Sequence, residues 1–434
     1  MDQLPGVSPT WTASQKITFR FSAVFFLLYV LLNPNGVVPG FDLLYEIYIK
    51  PLHSLIPWIG HHILHLSYPI TVFTNGSGDT TYDYVIILLI VVLAVIGCGI
   101  WTILDRRRNG YRTLQYWLLV IVRYYLATTM IQYGMVKVIK LQFPEPGLSR
   151  LLEPYGNSSP MGLAWTFIGY SKGYNYFAGI AETLAGVLLL FRRTTAFGAF
   201  LAFIVGANIM AMNYCFDIPV KLLSTMIVIM ALFVLSENIR NLFSLFFLHA
   251  TVRLQSAKPP AIRKRAWFLT GRILKILFVA YVLIGTTSDA ILATSKYGET
   301  APKVAMRGVY YVKTFIRNGD TIAPLQTDTT RWKQLLLDGS PSYGYASIRV
   351  MNDSSKGSYV FKPDTIHHTL VLYRGVDTTK KYYFSYRFPK KDSLVLVGSW
   401  KGDSVQISLQ QYDRQNFLLV RRGFNWINEY PMNR

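Results

Sequence analysis

The residues from Tyr84 to Trp101 read YVIILLIVVLAVIGCGIW, an apolar run without a charged side chain. A helix of roughly 20 such residues crosses the hydrocarbon core of a bilayer, so the run predicts a transmembrane span. Six further stretches meet or nearly meet this requirement, which predicts a membrane-embedded all-α bundle of about seven helices. The predicted spans are residues 15–32, 83–104, 114–138, 174–191, 195–215, 221–237 and 271–292.

Basic residues flank these spans instead of clustering along one segment, although the formal net charge is +21. This distribution favours a lipid bilayer as the partner and gives no support for nucleic-acid binding. With seven crossings, the basic clusters at 106–112, 192–193 and 240–272 fall on one side. Because cytoplasmic loops hold the excess of Lys and Arg, we expect a cytoplasmic amino terminus and an extracytoplasmic carboxyl terminus.

The pattern changes from about Lys296, where apolar residues alternate with polar ones in short runs such as LVLVG at 394–398. Turn-forming clusters at 318–320, 352–354 and 401–403 separate these runs. A period of two with such turns predicts an antiparallel β sandwich or a small barrel.

Two loops between spans are long enough to hold structure of their own. Residues 41–71 are rich in apolar and aromatic side chains and contain three prolines, which predicts broken interfacial or re-entrant helices. Residues 142–174 contain four prolines and several glycines and are expected to form an irregular cap.

The expected domains are an N-terminal membrane region with two spans and an amphipathic loop (1–112), a four-span core (113–238), a basic cytoplasmic loop with the seventh span (239–295) and an extracytoplasmic β domain (296–434).

Ionisable side chains inside a span are costly unless they face the bundle interior and find partners, so each is a candidate functional residue. Arg123 and Lys137 lie two heptads apart on one face of the third span, and Glu182 lies near the middle of the fourth. One interpretation is a buried polar cluster that carries chemistry. The alternative is that Arg123 and Glu182 form a packing pair, while Lys137 extends to the interface.

Histidines and cysteines give no comparable signal. His61 and His65 are four residues apart, as a helical metal pair would be, but two ligands do not make a site and no metal is expected. Cys98 and Cys215 are the two cysteines of the chain, which excludes a disulfide framework.

The runs RYYLATTMIQYGMVK (123–137) and FAGIAETLAGVLLLF (177–191) resemble the DoxX family of small bacterial membrane proteins. The family pattern is an arginine early in a span, a glycine and a lysine at its end, and a glutamate followed by a glycine in the next span. These places are filled here by Arg123, Gly134, Lys137, Glu182 and Gly186. The resemblance covers about 120 of the 434 residues.

Members of this family are linked to quinone-coupled oxidation of reduced sulfur compounds and to membrane redox complexes. The resemblance therefore implies a component of a membrane oxidoreductase in a bacterial inner membrane, with a quinone as cofactor and a polar pocket inside the membrane. Arg123 and Glu182 would form its buried charge pair, and Lys137 would supply a donor or a proton relay, so these three are the candidate catalytic residues. The candidate ligand-binding residues are Tyr133, Asn208, Asn213 and Asp217.

A rival hypothesis is a non-catalytic membrane scaffold whose β domain binds a redox or envelope protein, with the charged residues serving helix packing. A transporter is a third hypothesis, but the sequence contains no inverted repeat that would support it.

Overall fold

The computed structural model describes residues 10–34, 41–72, 77–254, 259–260, 265–353, 356–375, 379–430 and 432–433. By their contacts the residues form two compact units. One unit, here called the membrane unit, comprises Met1–Phe143 with Ser159–Ala293. The other, here called the β unit, comprises Pro144–Ser158 with Thr294–Arg434.

The helices follow the predicted spans closely and include several short ones. In chain order they are α1 (Ala13–Leu32), α2 (Phe41–His62), α3 (Thr81–Leu104), α4 (Arg112–Val138), α5 (Leu148–Leu151), α6 (Pro160–Tyr170), α7 (Lys172–Leu190), α8 (Thr195–Cys215), α9 (Lys221–Leu235), α10 (Ile239–Phe247), α11 (Arg265–Tyr297) and α12 (Leu418–Arg421).

Among the described residues, five helices are long and apolar enough to cross a membrane: α1, α3, α4, α8 and Leu269–Tyr297 of α11. The α9–α10 pair would make a sixth span, bent by 84°. The protein is thus a membrane protein with several apolar helices, whereas the predicted count of seven is not confirmed. By itself α9 is too short, because 15 residues at 1.5 Å each reach about 22 Å of a core about 30 Å thick.

The loop 41–71, predicted as broken interfacial or re-entrant helices, contains the single helix α2, so the predicted break at the prolines was wrong. Pro51 and Pro57 lie inside it, and each removes one backbone hydrogen bond. Ile49, Leu52 and Ile56 recur at helical spacing and are buried against the bundle. This continuous apolar face offsets the hydrogen bonds that the prolines remove.

The loop 142–174 is also more regular than predicted. It contains α5, a 3₁₀ turn at Tyr155–Asn157 and α6. Pro160 opens α6 at its first turn, where its missing N–H has no helical partner to lose, and the Ser159 side chain accepts from Gly162 N. The other three prolines, Pro144, Pro146 and Pro154, lie between helical segments.

The core of the membrane unit is a packed set of helices around α4. Helix α1 contacts α3 and α4, and α4 contacts α7 and α9. Helix α7 in turn packs on α8, and α8 packs on α9. This arrangement brings α4, α7, α8 and α9 around one interior region, where the predicted site residues lie.

The β unit is a closed barrel, which resolves the alternative between sandwich and barrel. Its strands are β1 (Gly308–Arg317), β2 (Asp320–Thr321), β3 (Trp332–Gly339), β4 (Gly344–Val350), β5 (Lys356–Asp364), β6 (Thr369–Tyr373), β7 (Lys381–Lys390), β8 (Ser393–Trp400) and β9 (Asp403–Tyr412). From β3 to β9 each strand pairs antiparallel with the next one along the chain, and β1 pairs with β2, β3 and β9. The pairing of β1 with β9, from Val309 opposite Tyr412 to Arg317 opposite Val405, closes an eight-stranded barrel to which β2 is a short appendage.

Alternation explains the barrel interior. On β8, Leu394 and Leu396 are fully buried, as every second residue of a strand points to the same face. Two of the predicted turns connect neighbouring strands tightly, because Asn318-Gly319 and Lys401-Gly402 adopt positive φ at both positions. Such two-residue turns match the twist of antiparallel strands.

Candidate intramembrane ligand site

A buried ion pair joins two of the predicted site residues. Lys137 Nζ donates to Glu182 Oε2 at 2.7 Å, and the two side chains are 8% and 2% exposed. Lys137 lies in the last turn of α4, and Glu182 lies in the middle of α7. Each charge compensates the other where both side chains are buried.

Glycines set the distance and register between α4 and α7. A Cβ on Gly134 would lie 2.7 Å from Gly179 O, and one on Gly186 would lie 2.6 Å from Ala127 O. Since Gly134 faces Gly179 while Ala127 faces Gly186, the two helices run antiparallel with their backbones in close contact. Small residues at such crossings let transmembrane helices approach closely, and here the approach brings the end of α4 level with Glu182.

Aromatic rings surround the ammonium group of Lys137. Its Nζ lies 5.9 Å from the ring centroid of Tyr133 and 6.0 Å from that of Phe143. Both distances are within the range of cation–π attraction. Phe143 in turn packs against Trp165, with ring centroids 4.9 Å apart. The ion pair thus borders an aromatic surface.

This surface belongs to a cavity of about 520 Å³ within the membrane unit. Side chains of α4, α6, α7, α8 and α9 and of residues 142–143 line it, and most of them are apolar. Five of the seven predicted site residues are in its wall, namely Tyr133, Lys137, Glu182, Asn208 and Asn213. Cavities of 300–1,000 Å³ with apolar walls and a few polar groups are the usual form of small-molecule sites.

Asn175 is a structural residue of this site that the sequence reasoning missed. It is fully buried, and its Nδ2 donates to Phe143 O at 2.9 Å, which holds the aromatic wall in place. Asn175 and Glu182 are seven residues apart and therefore lie on the same face of α7. That spacing was the available signal.

The predicted pair of Arg123 with Glu182 is not formed, and Arg123 lies outside the cavity. Its Nη1 donates to Thr195 Oγ1 at 3.1 Å, and its guanidinium carbon lies 5.0 Å from the ring centroid of Tyr124. The antiparallel register is the reason, because residues early in α4 face the end of α7. Fourteen residues separate Arg123 from Lys137, or about 21 Å along the helix.

Asp217 is the other predicted residue outside the cavity. Its side chain is 84% exposed and pairs with Lys221 Nζ at 3.0 Å. The two asparagines of α8 differ from each other: Asn213 is buried and donates to Val220 O at 3.2 Å, while Asn208 is exposed. Asn208 thus has the freer amide of the two in the cavity wall.

The histidines ahead of α3 lie in α2 or just after it. Across the described residues, no group of three or more His, Cys, Asp or Glu side chains could hold a metal ion. The rings of His61 and His62 meet edge to face, with centroids 4.6 Å apart, and His62 stacks on Trp58.

Comparison with known proteins gives one relationship. The chain is 40% identical over 124 residues to the "Uncharacterized protein YwoB" of Bacillus subtilis (strain 168), a match that covers 29% of this chain and 79% of that protein. The chain belongs to the YwoB family. No family model matches the sequence, and no solved structure matches the chain.

The shared family accounts for less than a third of the chain, although it covers most of YwoB itself. The description of YwoB names no activity, so the relationship establishes kinship and leaves function to the geometry of the site.

Proposed function

We propose that the membrane unit binds a quinone in the cavity beside Lys137 and Glu182, as a DoxX-like redox component of a bacterial inner membrane. The observation that carries the proposal is a buried ion pair in the wall of an apolar, aromatic cavity of about 520 Å³. Binding, a hydrogen bond to a ring oxygen and the transfer of a proton are the tasks that these residues would perform.

The cavity wall fits the chemistry of a quinone head group. A quinone has a planar apolar ring whose carbonyl oxygens accept hydrogen bonds. The rings of Phe143 and Trp165 offer apolar faces, and the ammonium of Lys137 has three N–H donors, one of which Glu182 engages. A second donor of Lys137 can bond a ring oxygen while Glu182 exchanges a proton with the ammonium.

Stability alone does not explain why the pair is present. Replacing a buried ion pair by apolar residues of similar volume is often neutral or stabilising, because desolvation of both charges is expensive. Inside a membrane protein, ionisable residues mark functional positions by default. Lys137 and Glu182 are therefore expected to have a role beyond the packing of α4 on α7.

The proposal includes seven crossings, with a cytoplasmic amino terminus and an extracytoplasmic β unit. Helix α7 packs on α4 and α8, both long apolar helices, which supports its running beside them through the bilayer in spite of Glu182. The basic clusters at 106–112, 192–193 and 240–272 support the orientation. Reporter fusions after Arg108 and Arg265 are expected to score cytoplasmic and one at Arg434 extracytoplasmic, and a cytoplasmic Arg434 would contradict it.

The binding experiment uses the full chain in detergent with two short-tailed quinones, a benzoquinone and a naphthoquinone, and isothermal titration calorimetry. The decisive variant is the double substitution Lys137→Met with Glu182→Leu, which removes both charges and is expected to fold normally. We expect saturable binding of at least one quinone by the unaltered protein and at least tenfold weaker binding by the double variant. Lys333→Gln is the control. It also breaks an ion pair, that of Lys333 with Asp353 at 2.6 Å, but this pair lies in the β unit and does not line the cavity.

Two results would overturn the proposal. If neither quinone binds saturably to the unaltered protein, the cavity is not a quinone site. If the double variant binds as tightly as the unaltered protein, the ion pair takes no part in binding.

The first result would favour the scaffold function. An exposed aromatic segment at the carboxyl terminus supports that candidate, since Phe424, Trp426 and Tyr430 are 78%, 90% and 90% exposed. Aromatic residues are enriched in protein interfaces, so a redox or envelope partner could bind the β unit there.

A further inference from the structure

One end of the barrel contains a pocket of about 170 Å³. It lies where Arg317 pairs with Val405 and where β8 turns into β9, at Trp400 and Asp403. The chain enters and leaves the barrel at the other end, where Val309 pairs with Tyr412. We call this region the free-end pocket.

The pocket is a local feature of the barrel. Away from this end, the interior is filled by apolar side chains such as Leu335, Leu337 and Phe361, each fully buried. Eight-stranded barrels have an interior that side chains can just fill or that holds one small ligand. Here side chains fill that part of the interior and leave space at the free end.

A buried donor without an acceptor lies in the pocket wall. Trp332 is fully buried, and its Nε1 has no hydrogen-bond partner among the described residues. The indole N–H can only donate, and a buried donor left unpaired costs free energy. The wall therefore favours an occupant with an acceptor atom.

Two further aromatic rings shape the space beside Trp332. The ring of Trp400 meets that of Trp332 edge to face, with centroids 4.9 Å apart, and the ring of Tyr359 lies 5.4 Å from that of Trp400. All three side chains line the pocket. Such walls bind the faces and edges of a flat ring.

Positive charge prevails among the pocket residues. Arg317, Arg374 and Lys401 line it together with one acid, Asp403. Within the part of the chain that the structure describes, no carboxylate forms an ion pair with any of the three cations, although Arg317 attracts the nearby carboxylate of Asp328. Three cations against one carboxylate give the wall a net positive charge, which favours an anionic occupant.

We propose that the free-end pocket binds a small ring-shaped anion that has an acceptor oxygen opposite its charged group. The ring occupies the space beside Trp400 and Tyr359, the charged group faces the cations, and the oxygen accepts from Trp332 Nε1. The size is appropriate, because an apolar cavity of roughly 150 Å³ holds benzene. This site is separate from the proposed quinone cavity and does not depend on it.

The test uses the full chain in detergent and three probes that differ by one group each. 4-Hydroxybenzoate has both the carboxylate and the opposite oxygen, benzoate lacks the oxygen, and 4-hydroxybenzyl alcohol lacks the charge. Calorimetric titration is expected to give at least tenfold tighter binding for 4-hydroxybenzoate than for the alcohol, and several-fold tighter binding than for benzoate.

Variants assign each interaction to a residue. Trp332→Phe keeps a ring but removes the donor, so it should lower the affinity for 4-hydroxybenzoate to that for benzoate. Arg374→Gln alters an exposed side chain, so it should fold normally and weaken binding of both benzoates without affecting the alcohol. Lys333→Gln, on a barrel residue that does not line the pocket, should change nothing.

Equal affinity for 4-hydroxybenzoate and the alcohol would show that the cations do not select an anion and would overturn the proposal. Unchanged binding in a folded Arg374→Gln variant together with unchanged binding in Trp332→Phe would do the same. The absence of saturable binding for all three probes would likewise overturn the proposal.

Discussion

Lys137 and Glu182 form a pair whose two members depend on each other for charge compensation. Removing one partner leaves the other as an uncompensated charge in the bundle, whereas removing both leaves none. The position of the pair in a ligand-sized cavity is what distinguishes it from the exposed pair of Asp217 with Lys221 in the same unit.

We expect Lys137→Met and Glu182→Leu each to destabilise the protein by roughly 3–5 kcal/mol, as is usual for breaking a buried pair. The double variant should be more stable than either single variant, because the orphaned charge is gone. Thermal unfolding in detergent measures all three. Lys221→Met is the matched control and should have little effect, since its partner Asp217 is 84% exposed.

The same set of variants tests the position of Arg123. Because Arg123 contacts Thr195 and not Glu182, the losses from Arg123→Ala and Glu182→Leu should add within about 0.5 kcal/mol. Strong coupling between them would restore the original pairing of Arg123 with Glu182.

The sequence was informative about which residue types matter and less so about how they pair. The cost of ionisable residues in a span identified Lys137 and Glu182, and the cavity contains both. Glu182 was assigned the wrong partner because a single sequence does not show the register in which two helices pack, or at what depth their residues meet. Asn175 was missed because a buried amide that donates to a backbone oxygen leaves no motif in the sequence. Its position on the same helix face as Glu182 was the one signal.

At the scale of elements, the contact between α4 and α7 depends on residues without side chains. Gly134, Gly179 and Gly186 each meet backbone atoms of the opposite helix at distances that a Cβ could not keep. The sequence showed these glycines but not that they face another helix. Gly99 of α3 has open space where a Cβ would be, so it provides a comparison within the same bundle.

Gly186→Ala is expected to force α4 and α7 apart and to destabilise the protein by about 1–3 kcal/mol, the usual cost of overpacking. The added Cβ would lie 2.6 Å from Ala127 O, a backbone atom that cannot rotate away. Gly99→Ala should be neutral or slightly stabilising, because Ala favours a helix more than Gly does. Thermal unfolding decides, and equal effects of the two variants would contradict the close approach.

Asp364 organises the turn from β5 to β6. Its Oδ1 accepts from the backbone N–H groups of Ile366 and His367, and its Oδ2 lies 2.7 Å from His367 Nδ1. The backbone and side-chain hydrogen bonds of His367 and the backbone one of Ile366 lower the pKa of this carboxyl from 3.8 to about 2. Hydrogen bonds to the charged form have this direction of effect.

A lowered pKa means that between about pH 2 and pH 4 the unfolded chain binds more protons at Asp364 than the folded chain. The stabilisation is therefore complete above the unfolded pKa and is lost as the pH falls towards 2. We expect Asp364→Asn to lower the unfolding temperature of the β unit at pH 5, and by a smaller amount at pH 3. A difference that grows on acidification would contradict this assignment.

The elements themselves followed from simple patterns, with exceptions that have physical reasons. All seven predicted spans coincide with helices, because a long apolar run is a strong signal. For α7 and α9, however, length and composition do not decide whether the helix crosses the membrane. The alternation and the turns at Asn318-Gly319 and Lys401-Gly402 predicted the strands. Closure into a barrel depends on the pairing of β1 with β9, which no local pattern contains.

At the scale of the whole molecule, the β unit includes residues that are distant in sequence. Residues 144–158, between α4 and α6, belong to it by their contacts. Leu148 is 4% exposed and packs with Val309 and Leu336, and Glu145 lies 3.4 Å from Arg414. The sequence placed the boundary at 296 because the patterns change there, and it gave no sign that an earlier loop completes the outer surface of the barrel.

This contact predicts how the β unit behaves when it is separated from the spans. We expect residues 294–434 to give a soluble barrel with cooperative unfolding, and the same residues joined to 144–158 through a Gly-Ser linker to unfold at a higher temperature. Burial of Leu148 should contribute roughly 1.5–3 kcal/mol before the cost of ordering the segment. Circular dichroism during heating compares the two proteins.

In the joined protein, Leu148→Ala should remove most of the gain in unfolding temperature, while Asn157→Ala, at an exposed position, should keep it. Equal stability of the joined protein and its Leu148→Ala variant would show that the segment does not pack on the barrel, and aggregation of both proteins would show that the barrel folds only with the membrane unit.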